Sequence, residues 1–304
     1  MGTRMSRENV EFNADGTTLR GWFFHSKGAN TPRPVVVMAH GMSAVKEMHL
    51  ENFAEVFASA GLHVLVYDHR NLGASDGQPR QEIDPVRQVR DFRHAITYAT
   101  GRQDVDSRRV GIWGTSFSGG HVLSVAAVDR RVKAAVAQVP FVTGHGITRS
   151  TIRGDVLSDL RAQLEGERRR LYDGAEPTMF PLVDENPFAA ATMPTADAWE
   201  YFTKAAAERA PAWRNEITFS SLERSGEYEP GDGIHRISPT PLLMIVAAED
   251  VVTPAEFAFD AYERAREPKQ LLVVPGGHFD IYTDETIFAT AVTAARDHFA
   301  HYLA

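Results

Sequence analysis

The chain has 304 residues, a net charge of −8, and 43% hydrophobic against 24% charged residues, the balance of a soluble globular protein long enough to bury a large core. Its basic residues are scattered apart from Arg168, Arg169 and Arg170, so the continuous positive field that phosphate backbones require is missing and nucleic acid is not expected as a partner. Cysteine is absent, which excludes disulfides, a thiol nucleophile and thiolate metal sites.

The opening residues carry no apolar stretch of the secretory kind, and no run elsewhere reaches membrane-spanning length, so a cytoplasmic protein with no membrane partner is expected. Gly2 and Ser6 fit the N-myristoylation pattern, a short motif that a frayed terminus often meets by chance. Residues 10–12 and 19–24, joined through Asn13, Ala14, Asp15 and Gly16, predict an antiparallel hairpin at a sheet edge. Apolar, β-branched runs at 35–39, 62–67, 110–113 and 132–139, and later at 242–246 and 271–274, predict buried parallel strands. Segments near 50–60, 84–99, 118–128, 254–266 and 286–303 are apolar on one face at helical spacing. The alternation predicts an α/β fold, a mostly parallel sheet of about eight strands flanked by helices.

The alternation stops over 141–235. A charged helix is expected at 156–172, ahead of a stretch rich in proline and aromatic residues. So long an insertion between two strands is expected to fold as a mainly helical lid, 141–235, on a core made of 1–140 and 236–304. Its aromatic residues are expected to form the lid's own core and, in part, to wall a pocket over the sheet.

One serine stands out by its neighbours. The strand at 110–113 is followed by Gly114, Thr115, Ser116, Phe117, Ser118, Gly119 and Gly120, with a helix expected from Phe117 onward. So sharp a turn would hold Ser116 in a strained conformation and leave room only for small residues two positions away, as Gly114 and Ser118 are. Taken alone, such a pattern also fits an ordinary tight turn.

A serine hydroxyl becomes a nucleophile when a base takes its proton and a third group orients the base. Both candidates follow in chain order: Asp250 after the strand at 242–246, and His278 after the strand at 271–274. Glu249 is the alternative acid, and Asp250 could instead cap the helix opening near Pro254. His298 and His301, on the terminal helix, are expected to be surface-exposed. The backbone N–H groups of Phe117, at a helix start, and Met42, in the loop after the strand at 35–39, are placed to form an oxyanion hole, with the Met42 side chain lining the pocket. His40 and His121 are expected to be structural, and the charged residues of 68–77 to brace their loop.

These residues resemble the α/β-hydrolase superfamily. The matching positions are His40, Gly41 and Met42, residues 68–77, the turn at 114–120, residues 250–254, and Gly277 with His278. Serine in place of the last glycine of the turn, residues 44–48, and the prolines at 239 and 241 are similar to the dienelactone-hydrolase-like and polyketide-transferase-like branch. The resemblance implies acyl transfer through a serine ester and no metal or organic cofactor. Serine at 116 also disfavours the dehalogenase and epoxide-hydrolase chemistries of this fold, which use an aspartate there.

The expected function is a serine hydrolase, esterase- or thioesterase-like, that cleaves a carboxylic ester, lactone or thioester of a small, apolar acyl substrate. In it Ser116 attacks, His278 relays the proton, Asp250 orients the imidazole, and the Met42 and Phe117 amides hold the oxyanion. An acyltransferase of natural-product biosynthesis, polyketide-transferase-like, is the alternative, and a non-catalytic ligand-binding protein on the same scaffold is a third. A homodimer is compatible with each.

Overall fold

The structure, a computed structural model, describes residues 6–27 and 31–304; Gly2, and with it the N-myristoylation pattern, lies outside the described residues. In chain order, β1 (Arg7–Ala14) and β2 (Thr17–Phe24) form a hairpin, followed by β3 (Arg33–Ala39), α1 (Leu50–Ser59), β4 (His63–Tyr67), α2 (Pro85–Thr100), β5 (Val105–Thr115), α3 (Phe117–Ala126) and β6 (Val132–Gln138). There follow α4 (Gly144–Thr151), α5 (Gly154–Tyr172), β7 (Met179–Phe180), α6 (Ala196–Glu208), β8 (Ile217–Thr218), α7 (Ser220–Gly226) and a 3-10 turn at Pro230–Arg236. The alternation then resumes with β9 (Leu242–Ala247), α8 (Ala255–Arg264), β10 (Lys269–Val274), α9 (Asp280–Thr283) and α10 (Glu285–Tyr302).

Eight strands make one sheet in the order β1-β2-β4-β3-β5-β6-β9-β10. The pairs β1 with β2 and β2 with β4 are antiparallel, and every later pair is parallel. Because successive strand residues point to opposite faces, the central strands serve two cores. Val36, Met38, Val64 and Val66 face one core with Phe53 and Phe57 of α1 and Phe299 of α10. Val35, Val37, Leu65 and Tyr67 face the other with Phe92 of α2, Val122 of α3 and Ala258 of α8. Fully burying one such phenylalanine stabilises the fold by about 2–3 kcal/mol. The covering helices are well begun: Asp84 accepts from Arg87 N–H at 3.1 Å ahead of Pro85, and Asp284 accepts from Thr286 and Ile287 N–H at 2.9 Å.

Two expectations need correction. Strand β5 begins at Val105, ahead of the apolar run at 110–113, because the polar residues 106–109 continue it through an irregularity where pairing shifts from Arg33 with Val105 to Val35 with Val110. His298 is not surface-exposed but buried, with Nδ1 3.4 Å from Gln270 Oε1 of β10. The last turns of α10 lie against that edge strand, so this face of the helix is covered. His301 is exposed as expected.

Between β6 and β9 the segment 141–235 holds the expected charged helix as α5, and also the shorter α4, α6 and α7. Trp213 Nε1–H donates to Ser43 O at 2.8 Å, and Ile83 N–H donates to Ser221 Oγ at 2.8 Å, so the segment is hydrogen-bonded to two loops at the C-terminal ends of the parallel strands.

Several histidines are buried in the neutral form. Burial lowers His121 to about 3 and His298 to about 4. A folded pKa below the unfolded value of about 6.5 means that the unfolded chain binds protons the native state cannot, so this stabilisation is complete above about pH 6.5 and is lost as pH falls toward 4 and then 3. The midpoint of urea unfolding should therefore drop from pH 7 to pH 4.5, by roughly one to several kcal/mol in stability. A flat or rising midpoint would contradict the neutral assignment.

Candidate active site

Ser116 stands between the end of β5 and the start of α3 with φ 57° and ψ −122°, a conformation that costs a non-glycine residue about 1–3 kcal/mol. Hydrogen bonds hold it there. Its N–H donates to Gln138 O at 2.9 Å, and its carbonyl accepts from the N–H groups of Gly119 and Phe141, each at 2.9 Å. The neighbouring glycines are small because other groups occupy the space. A Cβ on Gly114 would lie 2.2 Å from Ser118 O, and one on Gly120 would lie 2.4 Å from Phe141 O. A Cβ on Gly41 would meet Ser116 Cβ at 2.9 Å.

The three side chains singled out in the sequence, on three different strand ends, form one hydrogen-bonded chain. Ser116 O–H donates to His278 Nε2 at 3.0 Å, and His278 Nδ1–H donates to Asp250 Oδ2 at 2.7 Å. Both His278 and Asp250 are buried, while Glu249 points to solvent. Asp250 Oδ1 accepts from the N–H groups of Val252 and Thr253 at 2.9 and 2.7 Å. The capping role and the orienting role therefore belong to the same carboxylate, one oxygen for each.

Thr253, which the sequence did not single out, stands behind this pair. Its hydroxyl is 2.9 Å from Asp250 Oδ2, 3.2 Å from His278 Nδ1 and 3.1 Å from Val139 O. No local pattern in the sequence marks a threonine that works through contacts so distant in the chain.

The Met42 and Phe117 N–H groups are spent on no hydrogen bond among the described residues. They are therefore available to an oxyanion. The loop bearing Met42 is tied to α3 through Ser118. The Ser118 hydroxyl donates to His40 O at 2.5 Å and accepts from His69 Nε2–H at 2.8 Å. His69 N–H in turn donates to His40 Nε2 at 3.1 Å, and His40 Nδ1–H donates to Gly41 O at 2.9 Å. Burial above all holds His40 and His69 below their ordinary pKa, so both serve this network as neutral rings. Small size was the only reason sequence supplied for Ser118; the structure adds hydrogen bonds from α3 to His40, in the loop bearing Met42, and to His69.

His121 is likewise structural, between Tyr228 O–H at 3.0 Å and Gln88 Oε1 at 3.0 Å. Asp68 braces its loop as expected. Its carboxylate accepts from Lys46 N–H at 2.8 Å, Lys46 Nζ at 2.6 Å and Ala74 N–H at 2.9 Å.

A pocket opens over Ser116 and His278. Gly41, Met42, Ala44, Met48, Leu50 and Phe279 line it from one part of the chain, and Met193, Tyr201 and Phe202 from the segment 141–235. Other aromatic residues of that segment pack elsewhere: Phe180 on Phe219, Phe141 and Tyr228 on Phe117, while Phe188 is exposed. The group of candidate metal ligands found among the described residues, His25, His63 and Asp104, lies at the opposite end of the sheet, where β4 begins. His63 spends both ring nitrogens there, Nδ1 accepting from Ser26 N–H at 3.2 Å and Nε2–H donating to Asp104 O at 3.1 Å.

The sequence profile of the alpha/beta hydrolase fold matches residues 34–285, and the chain belongs to that family. Among its relatives is a protein named thiohydrolase from Eupenicillium brefeldianum, 32% identical over 280 residues, covering 90% of this chain and 88% of that protein. Another is the polyketide transferase grgF of Penicillium sp, 32% identical over 287 residues, covering 91% of this chain and 90% of that protein. The crystal structure of the alpha/beta hydrolase GrgF from Penicillium sp. sh18 superimposes with a TM-score of 0.85 at 29% identity, over 98% of this chain and 99% of that one. No described helix is long and apolar enough to cross a membrane.

Two variants probe the geometry. Asp250→Asn should lose a hundredfold or more in kcat on an aryl ester while Glu249→Gln loses little, because only the acid bonded to the imidazole sets its tautomer; equal losses would separate Asp250 from the chemistry. Ser118→Ala should lower kcat roughly tenfold with KM within about twofold, since a displaced oxyanion donor affects the transition state more than the ground state. An unchanged kcat would show that the clamp has no part in the reaction.

Proposed function

We propose that this chain is a serine hydrolase that cleaves a carboxylic ester, lactone or thioester with an apolar acyl group. The observation that carries this reading is the continuous chain Ser116, His278, Asp250, ending in a pocket flanked by two unspent backbone N–H groups. Ser116 Oγ attacks the carbonyl carbon as its proton passes to His278 Nε2, and the resulting oxyanion takes hydrogen bonds from Met42 and Phe117. Collapse breaks the bond to the leaving thiol or alcohol, which leaves with the proton from His278. Water then repeats the steps on the acyl-enzyme, and His278 returns the proton to Ser116.

A second reading, acyl transfer to an alcohol, amine or carbon acceptor, is supported by the apolar wall, which hinders water, and by the relatives named as transferases. The two readings share the first half of the reaction and differ in what meets the acyl-enzyme. Segment 141–235 acts in both as a lid, since it supplies Met193, Tyr201 and Phe202 to the pocket.

A panel of aryl esters, lactones and acyl thioesters tests the proposal. Ser116→Ala should remove at least three decades of kcat on whichever class is turned over; retention of a tenth of the wild-type rate would refute the nucleophile. Specificity should rise severalfold in kcat/KM from acetyl to hexanoyl, as each buried methylene contributes up to about 0.8 kcal/mol. Adding acceptor alcohols or amines and measuring the split between free acid and transferred product separates hydrolase from transferase.

A further inference from the structure

The pocket lining includes three hydroxyl-bearing side chains beside Ser116: Thr115, Tyr201 and Tyr282. Two are occupied with each other. Tyr282 O–H and Thr115 Oγ1 are hydrogen-bonded, and Gln138 Nε2–H donates to Thr115 Oγ1 at 3.2 Å. Tyr201, on α6, is different: its hydroxyl makes no hydrogen bond to any described residue, although the residue is only 8% exposed. That hydroxyl is also absent from the sealed polar atoms that lack a partner, so a small molecule in the pocket can reach it.

The ring that carries this hydroxyl is fixed. It stacks on Phe279 with centroids 4.7 Å apart and planes 25° apart, lies 5.2 Å from Tyr282 and 5.6 Å from His49, and meets Phe202 edge-on at 5.2 Å. Phe279 directly follows His278, so the phenol is held beside the catalytic base. Burial raises its pKa well above the ordinary value, so it is a protonated donor at neutral pH. With no protein acceptor, the hydroxyl adds nothing to the packing that a phenylalanine would not supply, and its hydrogen bond is left for an acceptor that enters the pocket. Tyr201 shares the lining with Met42, Met48, Leu50 and Phe202, apolar side chains suited to an acyl chain.

We propose that Tyr201 is a specificity residue whose hydroxyl donates a hydrogen bond to an oxygen carried on the acyl chain beyond the reacting carbonyl, so that the substrates are hydroxy- or oxo-substituted acyl groups rather than plain alkyl chains. The inference rests on the acyl-enzyme reading above and narrows its substrate class. A site built around such a bond discriminates strongly against an analogue lacking the oxygen, because the protein donor is then left unpaired.

The test uses the N-acetylcysteamine thioesters of octanoic acid and of its 3-, 5- and 7-hydroxy and oxo derivatives. The wild type should prefer at least one oxygenated chain over octanoyl by about tenfold in kcat/KM, and Tyr201→Phe should abolish that preference. Repeating the preferred acyl group as its p-nitrophenyl ester should show the same loss, since the effect follows the acyl chain. A wild type with no preference for any oxygenated chain, a variant that keeps the preference, or a loss that follows the leaving group would each overturn the proposal. A second measurement needs no turnover: the Kd of methyl ketone analogues of octanoyl and of each oxygenated chain. Tyr201→Phe should weaken the best oxygenated ketone about tenfold more than the plain one; equal weakening overturns the proposal even if the protein proves not to be a hydrolase.

Discussion

The backbone of Ser116, held at φ 57°, is the constraint around which the C-terminal end of the parallel sheet is arranged. A single residue cannot keep such a conformation by its own preferences. It persists because two backbone hydrogen bonds link it to β6 and to the chain leaving β6, a third ties it to Gly119 of α3, and the positions around it carry no side chain that would push it out. The serine is thus aimed by the sheet itself. The register of β5 against β6, Thr115 beside Gln138, sets the height at which it emerges, and the neighbouring β9 and β10 bring Asp250 and His278 to the same edge.

The second requirement is electrical. Polar groups near the site bond in sets: Asp68 with Lys46 and two backbone amides, Arg70 with Asp91, and His40, His69 and Ser118 with one another. As a neutral ring His40 donates at Nδ1 and accepts at Nε2, which a charged ring could not do, while His69 donates at Nε2 and its buried Nδ1 has no partner. Sets of this kind rigidify a loop, whereas the removal of one member leaves its partner buried and unpaired. The loop bearing Met42 gains its fixed shape in this way, without secondary structure of its own.

Most of the sheet was legible because parallel strands buried on both faces write themselves as apolar runs. The strands at 35–39, 62–67 and 242–246 are of that kind, and so were found within two residues of their true limits. The start of β5 was not, since 106–109 are polar and pair at an irregular edge. Ser116, Asp250 and His278 could be named from their order after successive strands, which the structure brings within hydrogen-bonding distance. Ser118, Thr253 and Tyr201 had no such mark. What distinguishes them is contacts between residues far apart in sequence, or the lack of one, and neither leaves a period or a motif. His298 misled because a histidine near the end of an amphipathic helix reads as solvent-facing until the edge strand covering it is known.

Strand β6 pairs directly with β9, Ala135 beside Leu242, although the whole of 141–235 lies between them in the chain. Closing a loop grows more costly only with the logarithm of its length, so exchanging a ten-residue connection for one ten times longer costs about 2 kcal/mol in chain entropy. The sheet can thus accommodate that excursion without giving up the pairing that aligns its reactive edge. The insertion and the strand ends beneath it are, for that reason, thermodynamically separable. A different insertion of similar span could reshape the chamber, admitting a bulkier or shorter guest, while the hydroxyl, imidazole and carboxylate beneath it kept their places.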